Sequence, residues 1–119
     1  MFEPSQAVLV VDDNLEAAEA VGALFEVAGY TVWYAPDGTL ALEQASVLQP
    51  DLVILDIEMP GMNGYEVCRR LRQLEVPRSQ RVIALSGRRG WEHARACNEA
   101  GFDAWFSKPI DPSLLTEWL

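Results

Sequence analysis

Basic charge is scarce in this sequence. Nine Lys and Arg stand against eighteen Asp and Glu in 119 residues, a formal net charge of −9. Contact with nucleic acid needs clustered cations on the phosphates, so the balance argues against direct binding by this chain. Cysteine is scarcer still. Cys68 and Cys97 fall in separate helical patterns, without metal-type spacing. They read as buried or half-buried thiols in a reducing cytoplasm. Half of the residues are hydrophobic (50%), yet no apolar run nears the length that spans a bilayer, about 20 residues. The opening Met1-Phe2-Glu3-Pro4-Ser5-Gln6 lacks a basic stretch followed by an apolar one, so no secretion signal is expected. Repeats, linkers and low-complexity tracts are missing too. The expectation is one domain over residues 1–119, cytoplasmic, free-standing or cut from a longer chain.

What is present is organised around residues Leu52 to Gly64. Leu52-Val53-Ile54-Leu55 suits a strand buried on both faces. It ends in a single carboxylate, Asp56, and Pro60-Gly61 turns the chain soon after. Asn63 can then cap a new helix. An acid at the C-terminal tip of a central strand lies where open α/β sheets place their ligands.

The other segments follow the same pattern. Ala7 to Val11 is a buried strand ending in Asp12-Asp13, and helical spacing then runs through Ala17, Ala18, Val21, Leu24, Phe25 and Ala28 to a stop at Gly29. Thr31 to Ala35 reads as a strand nearer the sheet edge. Asp37 caps a helix to about Val47, with Leu40, Ala41 and Leu48 inward. A helix from about Tyr65 to Leu74 carries an apolar stripe of Val67, Cys68, Leu71 and Leu74, and Pro77 ends that region. Arg81 to Ser86 is a strand, and Gly87-Arg88-Arg89-Gly90 is a basic loop. Trp91 to Ala100 is a weakly amphipathic helix stopped by Gly101. Phe102 to Ser107 is the last strand, before Lys108-Pro109. Asp111 and Pro112 open a short final helix, with Leu114, Leu115 and Trp118 packing inward. Five strands alternating with five helices predict an α/β fold, a doubly wound parallel sheet.

In such a sheet Asp12, Asp13, Asp56, Ser86 and Lys108, the only lysine, all stand at one edge. Three converging carboxylates repel one another and are disfavoured by burial. A hard dication offsets them: Mg²⁺ takes one or two carboxylates, keeps waters and shares phosphate oxygens. An ammonium, a hydroxyl and a metal around one carboxylate suit a phosphoryl group in transfer, with that carboxylate as nucleophile.

The chain resembles a bacterial two-component response-regulator receiver domain over its whole length. The residues that carry the likeness are Asp12-Asp13, the run from Asp56 to Gly64, Ser86-Gly87, Ala100-Gly101-Phe102-Asp103 and Lys108-Pro109. The resemblance implies a flavodoxin-like sheet with strand order 2-1-3-4-5. It implies that Asp56 accepts a phosphoryl group from the phosphohistidine of a histidine kinase or a histidine phosphotransfer protein. Asp13, Asp56 and the backbone carbonyl of Glu58 would bind Mg²⁺ (or Mn²⁺), and Asp12 would act through a water. Ser86 and Lys108 would bind phosphoryl oxygens, Lys108–Pro109 would be a cis peptide, and Ser86 with Trp105 would form the switch. The face of the fourth helix, fifth strand and fifth helix would change, and would serve a homodimer or an output contact together with Trp91 and Trp118. No membrane partner is implied.

The sequence departs from the family pattern at four positions. Trp105 is bulkier than the usual Tyr or Phe, so its inward rotamer would be crowded. Ser86 replaces the commoner Thr. Glu58 adds a carboxylate at the mouth of the site, and Arg88 stands two residues after Ser86. Glu58, Gly87 and Arg88 would tune the lifetime of the phosphoryl group, through a Glu58–Arg88 contact that screens it from water.

Plainer readings compete. Asp13 and Asp37 serve as helix caps, Glu58 as a solvated acid, and His93 as an exposed or half-packed residue with no catalytic role. The whole chain could instead be a small Mg²⁺-dependent phosphohydrolase with an aspartyl nucleophile, but that chemistry generally uses a second Asp where Glu58 stands. A flavin carrier would need a phosphate loop where Asp12-Asp13 lie. A degenerate scaffold receiver would not need the five site residues. The reading taken is a signalling switch that catalyses only its own phosphorylation and dephosphorylation, and is not otherwise an enzyme.

Overall fold

The computed structural model describes residues 6–74, 80–87, 90–108 and 110–118, with residues 91, 112 and 116 by backbone alone. The elements run β1 (Ala7–Val11), α1 (Leu15–Val27), β2 (Thr31–Ala35), α2 (Gly38–Leu48), β3 (Leu52–Asp56), α3 (Gly64–Gln73), β4 (Arg81–Ser86), α4 (Trp91–Ala100), β5 (Ala104–Ser107) and α5 (Pro112–Leu115), then a 3₁₀ turn, Thr116–Trp118. All strand pairs are parallel, in the order β2-β1-β3-β4-β5. No helix among the described residues is long and apolar enough to cross a membrane.

Alternation along the strands divides the core into two layers. Leu9, Val11, Val53, Leu55, Val82 and Ala84 face one side, against Ala41 and Ala45 of α2, Val67, Cys68 and Leu71 of α3, and Cys97 and Ala100 of α4. Val8, Val10, Leu52, Ile54, Ile83 and Leu85 face the other, against Ala18 and Phe25 of α1 and Leu115 of α5. β3 is buried along its entire length, as its unbroken apolar run predicts.

The helix starts are fixed by side chains. Asn14 Oδ1 accepts from Ala17 N at 3.1 Å, Asp37 Oδ1 from Leu40 N at 2.9 Å, and Asn63 Oδ1 from Glu66 N at 3.1 Å. Gly101 closes α4 at φ 101°, a left-handed value that glycine adopts without strain. On the sheet edge, Gln44 Nε2 reaches from α2 and donates to Tyr34 O of β2 at 3.2 Å.

Several expectations need correction. Leu40 is 39% exposed, because α2 turns Ala41 and Ala45, one turn apart, onto the sheet. Leu114 is 47% exposed for the same reason: consecutive helical positions point about 100° apart, and Leu115 takes the core. Ala28 is exposed past the end of α1. β5 begins at Ala104 and not at Phe102. Asp103 N donates to Val82 O at 2.8 Å while its own carboxylate accepts from Val82 N at 2.7 Å, so a side chain stands where ladder pairing would otherwise begin. Pro77 lies outside the described residues.

Candidate functional site

Every strand contributing to the site ends at the same edge. Asp12 and Asp13 follow β1, Asp56 closes β3, Ser86 closes β4 and Lys108 follows β5. The ladder continues past the strand ends: Ile57 N donates to Leu85 O at 3.0 Å and Lys108 N to Ser86 O at 2.8 Å. Asp12 is held by its own backbone, which donates to Ala35 O at 3.1 Å, and by Asn14 N, which donates to its Oδ1 at 2.9 Å. Behind β3, Gly64 is pressed so close that a Cβ would lie 2.6 Å from Ile57 Cα and 2.8 Å from Asp56 O. Only glycine lets α3 start there without moving the Asp56 backbone.

Carboxylate oxygens of Asp12, Asp13 and Asp56 lie within 4.8 Å of one another. Asp12 and Asp56 are buried, at 8% and 3% exposure, while Asp13 opens to solvent. The donor set, three hard anionic oxygens with an open side, fits a hard divalent cation. Lys108 Nζ lies 3.0 Å from Asp56 Oδ1 and 3.9 Å from Asp12 Oδ2. Burial pushes the Asp12 carboxyl above the ordinary range; Asp56 and Asp13 add to this, and the Asn14 N–H and Lys108 offset only part. For Lys108, burial disfavours the ammonium, but its hydrogen bond to Asp56 and the charges of Asp56, Asp12 and Glu58 outweigh that and raise its pKa. Lys108 is therefore a fixed cation at neutral pH.

Ser86 is fully buried, and its Oγ donates to Glu58 Oε1 at 2.6 Å. The same oxygen accepts from Gly87 N at 2.9 Å, and Glu58 N donates to Asp56 Oδ1 at 3.1 Å. Trp105 is half-buried against the core layer beneath α4, paired in register with Ala84, two residues before Ser86. It shares a sheet face with Ser86.

The structure thus brings Asp12, Asp13, Asp56, Glu58, Ser86, Gly87 and Lys108 together. Arg88, Pro109 and the Trp91 side chain lie outside the described residues, and with them the Glu58–Arg88 contact and the Lys108–Pro109 peptide. Sequence reasoning did not foresee Glu58 on Ser86 and Gly87. The available signal was that β3 and β4 are neighbours, which puts a residue two beyond Asp56 beside the end of β4. The reading of His93 as exposed or half-packed is corrected: it is 8% exposed, and its Nδ1 lies 2.7 Å from the Tyr65 hydroxyl.

Comparison with known proteins places this geometry in context. The family model described as the response regulator receiver domain matches residues 8–119. The DNA-binding response regulator MtrA of Mycobacterium tuberculosis is 37% identical over 111 residues, covering 92% of this chain and 47% of that protein. The chain thus spans about half the length of the curated relatives it matches. Among solved structures, the chemotaxis protein CheY4 of Vibrio cholerae superposes with a TM-score of 0.89 at 29% identity, over 97% of this chain and 96% of that one. A putative response regulator from Chloroflexus aurantiacus gives 0.88 at 31% identity, over 97% and 94%.

Proposed function

Because the chain belongs to the response regulator receiver domain family, we propose that it is a phosphoacceptor switch of a two-component system with Asp56 as the acceptor. The observation that carries this is Asp56 itself: a buried carboxylate at the end of the central strand, 3.0 Å from the one lysine and clustered with Asp12 and Asp13. An Asp56 carboxylate oxygen attacks the phosphorus of a phosphohistidine. The P–N bond breaks, the imidazole leaves with a proton, and an acyl phosphate remains. Lys108 holds Asp56 in place and stabilises the phosphoryl oxygens as charge builds on them. Asp13, Asp56 and the Glu58 carbonyl, with Asp12 acting through a water, would hold Mg²⁺ or Mn²⁺, which when bound supplies charge neutralisation at those oxygens. Water later hydrolyses the acyl phosphate and resets the protein.

Ser86 and Trp105 are the switch. They share a face of adjacent strands, so movement of the hydroxyl alters the packing space of the indole. The readout face is then α4, β5 and α5, toward a second copy or an output domain. The phosphoryl donor is a histidine kinase or phosphotransfer protein. The related MtrA is named as DNA-binding; with a net charge of −9, nucleic-acid contact in any longer protein would fall to a part other than this domain.

The test is intact mass after incubation with acetyl phosphate and Mg²⁺. Gain of one phosphoryl group, abolished by EDTA and by Asp56→Asn, is the expected result. No gain from acetyl phosphate or from a phosphohistidine donor, with Mg²⁺ binding demonstrated, overturns the reading in favour of a scaffold.

A further inference from the structure

The contacts of Glu58 add a step to this reading, and the inference rests on it. Glu58 is an exposed residue, yet its Oε1 is held by two donors at the end of β4: the fully buried Ser86 hydroxyl at 2.6 Å and the Gly87 N–H at 2.9 Å. Its own N–H binds Asp56 Oδ1 at 3.1 Å, so one residue links the acceptor carboxylate to the β4 donors. An oxyanion held by a hydroxyl and a backbone N–H is what a phosphoryl oxygen would be in the same place. We propose that the Glu58 carboxylate is a built-in surrogate for a phosphoryl oxygen, occupying the Ser86–Gly87 donor pair in the unphosphorylated protein and leaving it when the phosphoryl group arrives.

Two consequences follow. The incoming group must displace a charge-assisted hydrogen bond and enter past a carboxylate of its own sign, so Glu58 opposes phosphorylation. The Ser86 hydroxyl is also held toward the site before any phosphoryl group is present. Phosphorylation then exchanges the partner of the hydroxyl, and any movement of Ser86 that reaches Trp105 follows the departure of the Glu58 carboxylate.

The test uses beryllofluoride, an inorganic mimic of a carboxylate-bound phosphoryl group, titrated at saturating Mg²⁺ on the full chain and followed by tryptophan fluorescence. Phosphorylation rates with acetyl phosphate are measured in parallel. Glu58→Ala should bind the mimic about tenfold more tightly than the unaltered protein, the worth of one hydrogen bond to a charged group. Glu58→Gln, which keeps an accepting oxygen without the charge, should lie between. In a Ser86→Ala background the gain from Glu58→Ala should shrink several-fold. A gain that persists undiminished without the hydroxyl would show an effect of charge alone and overturn the proposal, as would equal or weaker binding by Glu58→Ala. If the unaltered chain takes neither beryllofluoride nor phosphate at Asp56, the acceptor reading itself has failed, and this inference falls with it.

Discussion

The Tyr65 hydroxyl and His93 Nδ1, 2.7 Å apart and buried, join the first turn of α3 to α4. Among the described residues, α4 has no side-chain cap at its N-terminus, where Gly90 stands. Among the described residues, this bond ties the helix to the body through its buried face. Tyr65→Phe keeps the ring and removes the bond, and should lower stability by about 1 kcal/mol. Urea unfolding reads it; an unchanged midpoint would show that the bond adds nothing net.

Gly64 is the close-approach point behind Asp56. Gly64→Ala would bring a Cβ to 2.6 Å from Ile57 Cα, so backbone must move. A loss of about 1–3 kcal/mol is expected. Because the displaced backbone belongs to Asp56 and Ile57, phosphorylation from acetyl phosphate should slow as well. Full-rate phosphorylation in a destabilised Gly64→Ala protein would separate the two effects.

Arg72 ties three segments together. Its Nη2 donates to Gly101 O at 2.7 Å and to Asp103 Oδ2 at 2.8 Å, its Nε to Gly101 O at 2.9 Å, and its Nη1 to Gln80 O. A lysine supplies the charge without the planar fork. Arg72→Lys should therefore cost about 1–2 kcal/mol in thermal or urea unfolding, close to the cost of Arg72→Ala. Full rescue by lysine would show that charge alone matters.

Burial pushes the thiols of Cys68 and Cys97 from 9.0 up to about 11. Between those values the unfolded thiols have lost their protons and the folded ones have kept them. The stability they contribute is complete below about pH 9 and drains away as pH rises toward about 11. At pH 8 iodoacetamide should label the native chain slowly and the urea-unfolded chain fast. Cys97→Ala should flatten the alkaline decline in stability; an unaltered slope would assign that decline to other groups.

The carboxylate cluster predicts metal-dependent stability. Mg²⁺ at about 100 times its dissociation constant should add about 2.7 kcal/mol to unfolding, an increment that EDTA removes. In Asp13→Asn the same concentration should add much less. A midpoint indifferent to Mg²⁺ in the unaltered protein would rule out a site of useful affinity at Asp12, Asp13 and Asp56.

Strand positions were legible because buried parallel strands need unbroken apolar runs, and Leu52 to Leu55 and Ala7–Val11 are such runs. The caps at Asp37 and Asn63 were legible because a short polar side chain before an apolar period has one common use; the cap reading of Asp13 is corrected by one residue, since Asn14 holds the start of α1. The edge that gathers Asp12, Asp13, Asp56, Ser86 and Lys108 followed from strand direction alone. What was hidden depends on rotation or on partners far along the chain. Leu40 against Ala41, and Leu114 against Leu115, differ by one helical step, which a short apolar pattern does not resolve. His93 looks solvent-facing until Tyr65, 28 residues earlier, is known to reach it. Asp103 reads as part of the last strand until Val82 and Arg72 are found beside its carboxylate.

The sheet border at β2 has a consequence for crowded solutions. Trp33 is 44% exposed on this outermost strand, the kind of rim from which fibres grow by strand addition. Gln44 sits on α2 with its amide on Tyr34 O. A side chain from the molecule's own helix thus stands in for a sixth strand at that carbonyl, and a second chain sliding along the rim meets an acceptor already taken.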